Sequence, residues 1–200
     1  MKKLWIIFGV VFVFSFAILG WVGSEIFRQV PPIPNEVVAT DGVVLIAPEQ
    51  IMDGQNVWQA MGGMQVGSIW GHGSYVAPDW TADYLHREAV FILDNWSVAE
   101  FGGEYANGSS EQKAVLQQRL KDLLRTNNYD PSTGNLTVSP IRMQAFEHNL
   151  QHYSGIFSNG SSDYAIQKNA QSDPVKLRQL NAFFFWTAWA SAERHHFVQI

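Results

Sequence analysis

The sequence predicts a mainly α-helical protein, with one amino-terminal transmembrane helix followed by an extracytoplasmic helical domain that carries a short β-hairpin. Three observations lead there. Leu4 to Val22 contain no charge. Beyond position 78, apolar residues recur at spacings of three and four, the period of a helix with one buried face. Asp41-Gly42 stands between two β-branched runs, EVVAT and VVLI, the composition of a two-residue hairpin turn.

The uncharged segment would cover roughly 28 Å as a helix, about the hydrocarbon thickness of a bilayer. Most of it is Leu, Ile, Phe or Val, and insertion gains roughly 4–8 kcal/mol from those side chains. Trp5 and Trp21 would stand about 24 Å apart, where aromatic belts form. Lys2 and Lys3 hold the amino terminus on the cytoplasmic side. The expected placement is therefore single-pass in a bacterial cytoplasmic (inner) membrane, with the main domain periplasmic. A cleaved signal peptide would need a small-x-small site, and Gly20-Trp21-Val22-Gly23 has a bulky pair in its middle. Segment 1–28 is read as an uncleaved anchor, with membrane lipid as its partner.

The remaining elements follow in order. Residues 29–36 form a stiff proline linker that cannot continue a helix. After the hairpin, Asp53-Gly54 opens a short helix carrying Val57, Trp58 and Met61. Five glycines among residues 62–73 make a regular element costly and predict an irregular loop. A helix runs from about 78 to 101, with Asp79 or Thr81 as its cap and Leu85, Ala89, Ile92 and Trp96 on its buried face. NGSSEQKAVLQQRLKDLL gives another, with Ser109 and Gln112 as a capping box. YDPSTGNLTVS is a turn and an extended piece. Ser139-Pro140 places a cap and an N1 proline before a helix over 140–157. Ser172-Asp173-Pro174 repeats that signal before a helix that turns strongly aromatic in NAFFFWTAWA. The helical domain is taken as 37–172, and 173–200 as an amphipathic, aromatic helix leading away from it. Phe183 to Trp189 are too few to span a bilayer, so they are expected at the membrane boundary or against a further domain.

Composition narrows the functions. At 46% hydrophobic and 14% aromatic, the chain has ample material for a core. With Lys2, Lys3, Arg28 and Glu25 set aside, the part beyond residue 30 carries more acidic than basic residues and no basic run. Nucleic acid is thereby excluded as a partner. The absence of cysteine removes disulfides, thiolate metal sites, cysteine nucleophiles and thioether-bound haem together.

The stretch GQNVWQAMGGMQVGSIWGHGSYVAPDW, 54–80, resembles the start of a class I cytochrome c. Such a domain opens on G-x-x-φ-aromatic, matched by Gly54, Val57 and Trp58, and a few residues later carries C-x-x-C-H. The corresponding positions here are Gly63-Met64-Gln65-Val66-Gly67. Gly63 and Val66 stand where thiols would hold a porphyrin, and Gly67 stands where the axial imidazole would be. With the anchor, the Asp-Gly hairpin and FFFWTAWA at 183–190, the run to Ala89 is similar to the amino-terminal extension of quinol-dependent nitric oxide reductases. That similarity covers about residues 1–190.

The resemblance implies a small cytochrome partner fused to a catalytic chain and stripped of its haem, hence a cytochrome c-like fold with no cofactor in this chain. For the intact enzyme it implies reduction of two NO to N2O with electrons from membrane quinol, a step of denitrification. That chemistry belongs to a following multi-helix membrane domain holding a low-spin haem b, a high-spin haem b and a non-haem iron. The chain is then expected to serve as anchor and extracytoplasmic structural domain. It would have no catalytic residue of its own, and its partner would be that catalytic domain, normally in the same chain. The tail SAERHHFVQI departs from the Arg-Pro-Gly-like passage of the family, and the chain is read as ending before the catalytic helices. Two other readings stay open: a stand-alone anchored adaptor docking on a membrane oxidase or reductase, and a haem-free sensor of a small ligand.

Several residues invite a functional role. His148 and His152 share the i, i+4 spacing that can clamp a metal, but they are displaced by about 200° from the face bearing Phe146, Leu150, Tyr153 and Phe157. An exposed or interface pair is expected. His72, between glycines, is expected to bond to the local backbone. Met61 and Met64 are expected to fill the space of the missing haem. His195 and His196, in the divergent tail, receive no role.

Overall fold

The computed structural model describes residues 2–28, 30–74 and 78–193; the expectations for His195, His196 and the rest of the tail beyond Glu193 lie outside the described residues. The chain divides into two compact units, Met1–Pro32 and Ile33–Ile200. The first is helix α1, Lys2–Arg28, with a mean hydropathy of 2.5 over its most apolar stretch. None of its side chains is buried against protein. A helix apolar on every face with no protein cover is suited to lipid, and α1 is long enough to cross a membrane once.

The second unit is helical around a small sheet. Its strands are β1 (Glu36–Ala39), β2 (Val44–Ile46), β3 (Tyr129–Asp130) and β4 (Asn135–Val138), in the order β2-β1-β4-β3. The expected hairpin of β1 and β2 is present, but residues 40–43 form a longer loop rather than a two-residue turn, and the strand register shifts between Val37 and Val38. Gly42 takes φ +85 there, and the Asp41 carboxylate accepts from Val43 N at 3.2 Å. YDPSTGNLTVS closes into a second hairpin, and β4 pairs in parallel with β1, Val37 opposite Leu136. Of the proline linker, Pro34 is buried and Asn35 N donates to Gly134 O at 2.7 Å, so its end belongs to this unit.

The helices are α2 (Gln50–Ala60), α3 (Trp80–Phe101), α4 (Ser110–Arg125), α5 (Pro140–Asn159) and α6 (Pro174–Ala192). α2 begins before the expected Asp53-Gly54. α3 starts on Asp79, whose side chain accepts from Ala82 N at 2.9 Å, and α4 starts on a complete capping box of Ser109 and Gln112. At α5 the expectation needs correction: Ser139 occupies the N-cap, but its side chain makes no capping bond and its hydroxyl is buried without a partner.

α6 is the axis of the unit, packed by α2, α3, α4 and α5. Ala182 through Ala190 are all buried. This corrects the expectation that Phe183–Trp189 lie at the membrane boundary or await a further domain. The aromatic run is the core itself, and α6 is an integral part of the unit rather than a helix leading away from it. A helix apolar on all sides must be covered all round, and here the cover is this domain's own helices.

The α2–α6 approach depends on a glycine. A Cβ at Gly54 would lie 2.6 Å from the Gln179 carbonyl carbon and 2.8 Å from Phe183 Cβ. Gln179 Nε2 also donates to Asp53 at 2.9 Å beside the crossing. A methyl group there must push the helices apart, and overpacking of this kind costs about 1–3 kcal/mol, occasionally more. Gly54→Ala is therefore expected to lower unfolding stability by at least about 1 kcal/mol, measured by chemical denaturation of the full chain; an unchanged midpoint would refute the close crossing.

Candidate functional site

The segment with cytochrome-motif spacing, Gly63 to Gly67, opens on a short 3-10 turn over Gly63–Gln65 that ends at Val66. Its conformation rests on glycine: Gly63 adopts φ +56 and Gly67 φ +139, in the region L side chains rarely enter. Two indoles hold it. Trp80 Nε1 donates to Val66 O at 3.1 Å, and Trp58 Nε1 donates to Gly67 O at 3.3 Å.

Trp80 is the centre of the arrangement. It is 0% exposed and stacks on Phe184 (5.3 Å, 12°) and Tyr164 (5.6 Å, 21°). Phe157 and Tyr153 close its remaining sides at 5.3 and 5.8 Å. These are the offset and edge-on geometries that aromatic pairs favour. Gly67 lies directly against this ring, and a Cβ there would fall 2.6 Å from Trp80 Cε2.

Local polar bonds explain why Trp80 sits where it does. Ser68 N donates to Pro78 O at 3.1 Å and Trp80 N to Ser68 O at 2.9 Å, joining the glycine loop to the start of α3. Asp79, while capping α3 through Oδ1, accepts from Ser68 Oγ at 2.8 Å and Gly71 N at 2.6 Å through Oδ2. One turn further, Asp83 accepts from the hydroxyls of Tyr153 (2.9 Å) and Tyr164 (3.0 Å) and from Arg87 Nε (2.9 Å). The two phenols whose rings flank Trp80 are thus anchored by one carboxylate. Burial, followed by the charge of Asp83, raises the Tyr153 pKa well above the ordinary phenol value and keeps it a donor.

A covalently held haem needs two thiols and an imidazole at 63, 66 and 67. Gly63, Val66 and Gly67 offer no ligand atom, and Trp80 takes the space in which a side chain at 67 would stand. The residues present do not fit the group.

The other candidates are dispersed. His72 is exposed, and its Nδ1 lies 3.0 Å from Ile69 O, the expected backbone contact. It borders a shallow groove of about 360 Å³ with Trp58, Met64, Trp70, Phe183 and Trp186. Met61 packs on the core, whereas Met64 is exposed at the groove rim. The expectation that both methionines fill interior space is corrected for Met64, which lies at the surface. His148 is exposed and stacks on Phe91 at 4.8 Å, while His152 is half-buried between Tyr153 and Tyr164. Burial, then Arg87, lowers the His152 pKa. Among the described residues, no three His, Cys, Asp or Glu side chains come together in a way that could hold a metal.

Sequence reasoning missed a buried ion pair. Arg142 Nε donates to Glu88 Oε1 at 2.6 Å, and both side chains lie inside the fold. The signal was faint: the buried face of α3 runs through Trp80, Tyr84, Glu88 and Ile92, whereas of the expected stripe only Ile92 is buried and Leu85, Ala89 and Trp96 are partly exposed.

The family model for the NorB cytochrome c-like domain of nitric oxide reductase matches residues 34–196. No curated protein was found to match the chain.

The contact between Gly67 and Trp80 can be isolated by a double-mutant cycle. Gly67→Ala is expected to cost about 1–3 kcal/mol in the parent chain and at least about 0.5 kcal/mol less in a Trp80→Phe background, measured by denaturant unfolding. The φ strain is common to both backgrounds, so additive costs would show that the indole does not crowd position 67.

Proposed function

The chain belongs to the family of NorB cytochrome c-like domains of nitric oxide reductase, and from that membership we propose that it is the membrane anchor and haem-free extracytoplasmic domain of a quinol-dependent nitric oxide reductase. The observation that supports the haem-free reading is the Trp80 indole pressed against Gly67, where the family's ancestral haem would have had its imidazole. The domain carries no electrons. It provides a rigid, aromatic-cored body at the end of a single-pass anchor. Reduction of NO, with its haem b groups and non-haem iron, belongs to the multi-helix catalytic domain that is this domain's partner.

The orientation proposed is amino terminus in the cytoplasm and helical domain outside. It is supported by Lys2 and Lys3 at the start of α1.

Two measurements test the proposal. Full chain purified from membranes is expected to show no Soret absorbance, no haem stain on a denaturing gel and no NO consumption; stoichiometric haem would overturn it. Because the sequence lacks cysteine, single cysteines report topology without background. Lys121→Cys, exposed on α4, is expected to react with an impermeant maleimide in intact spheroplasts, and Lys2→Cys only after permeabilisation. The reverse pattern would invert the topology.

A further inference from the structure

An apolar groove of about 360 Å³ lies beside the glycine loop of the helical unit. Its floor is the buried Ile69, Phe183 and Trp186, with Trp58 half-buried beside them. Its rim is Met64 and Trp70, 37% and 40% exposed. The rings are locked to one another: Trp58 meets Phe183 at 5.8 Å, Phe183 meets Trp186 at 6.1 Å, and Trp70 meets Trp186 at 5.3 Å. Trp70 is held there against its own backbone. Its φ of +56 lies in the left-handed region, where a residue other than glycine is strained and persists only when its surroundings impose it. Trp70 N donates to Thr81 Oγ1 at 3.2 Å and Trp70 Nε1 to Thr187 O at 3.1 Å, and these bonds impose it. The strain keeps a large apolar ring at the edge of a groove rather than inside the core.

The lining decides what the groove can take. Trp58 and Trp70 both spend their indole N–H inward, on Gly67 O at 3.3 Å and Thr187 O at 3.1 Å, so these rings offer only carbon to the outside. Among the described lining residues Gln55 and His72 are the polar ones, and none is Asp, Glu, Lys or Arg. A protein partner is met across an interface carrying about one hydrogen bond per 100–200 Å², and this surface has few donors or acceptors to give it. Hydrocarbon needs none, and an uncharged lining lies against it with no ion to desolvate. Lipid is also the apolar phase that the chain keeps at hand. α1 is long enough to cross a membrane, and the short linker 29–33 holds the bilayer at high effective concentration for the helical unit.

We propose that this groove is a membrane-contact site: Met64 and Trp70 enter the boundary between headgroups and acyl chains, and lipid acyl carbon fills the space over Phe183 and Trp186. The inference rests on α1 serving as an anchor and goes beyond it, since the helical unit then meets the bilayer with one defined face. Rings fixed in advance lose little freedom on contact. An exposed apolar patch calls for cover, and the acyl boundary supplies it. Methionine suits the rim because its flexible side chain adapts to disordered chains.

The test uses the full chain in nanodiscs of phosphatidylcholine and phosphatidylglycerol, with a bimane fluorophore on one introduced cysteine at a time; the sequence contributes no other thiol. The sites compared are Met64→Cys at the rim, Lys121→Cys exposed on α4, and Phe14→Cys on α1. Replacing the lipids with ones brominated on their acyl chains is expected to quench the label at 64 by at least about half, as for an apolar face set about 5–10 Å into the headgroup and acyl boundary. The label at 121 is expected to keep its intensity and the label at 14 to be strongly quenched. Quenching at 14 without quenching at 64 overturns the groove proposal and leaves the anchor intact; a groove reserved for a protein partner gives that same result. Equal quenching at 64 and 121 also overturns it, because contact then has no defined face. A label at 14 that is not quenched overturns the anchor reading, and the proposal with it.

Discussion

The fold turns on the placement of one indole. Trp80, buried without solvent contact, receives Phe184 from α6, Phe157 and Tyr153 from α5 and Tyr164 from the following loop. Its N–H secures the glycine turn at Val66. Through these contacts it joins the glycine turn at 63–67 to three separate parts of the core. A rigid, flat side chain with a single donor occupies this part of the core, and glycine at 67 is the complement that allows the ring its place.

The polar side chains around that ring act as positioning devices rather than as chemistry. Asp79 and Asp83, one turn apart on the same face of α3, divide the work. The first ties the glycine loop to the helix start, and the second fixes the two phenols that flank the indole. Glu88 and Arg142 continue the line into the interior. A buried pair of this kind contributes little net stability over an apolar substitute, yet cutting one partner is costly because the other is left charged and dry. Such a pair specifies how α3 and α5 meet.

How much of this is legible in the sequence depends on whether the signal is local. The long apolar helix at the amino terminus, the α3 cap at Asp79, one of the two candidates, and the α4 capping box at Ser109 and Gln112 all rest on local sequence, and each is present. The cytochrome-like spacing of Gly54, Trp58 and Gly67 leads to the segment that holds the site. What is not legible involves partners far apart in the chain. The parallel pairing of β1 with β4 joins Glu36 to Asn135, and no local feature of either strand announces the other. NAFFFWTAWA is apolar on every face, which suits a helix in the centre of a core as well as one beside a membrane; only the surrounding helices decide. Met64 reads as a core residue because it is flexible and apolar, but the core already contains rings that pack better. Glu88 and Arg142 each look like solvated helix residues until the two helices are placed together.

The most direct test of the account is to give the haem motif back. Gly63→Cys, Val66→Cys and Gly67→His, combined in the full chain and expressed where c-type cytochromes mature, restore every ligand the chemistry requires while leaving Trp80 in place. The account predicts that the purified protein carries no stoichiometric thioether-bound haem, because the indole crowds position 67, where the imidazole would stand. A folded product with one covalent haem per chain and native helical content would contradict it.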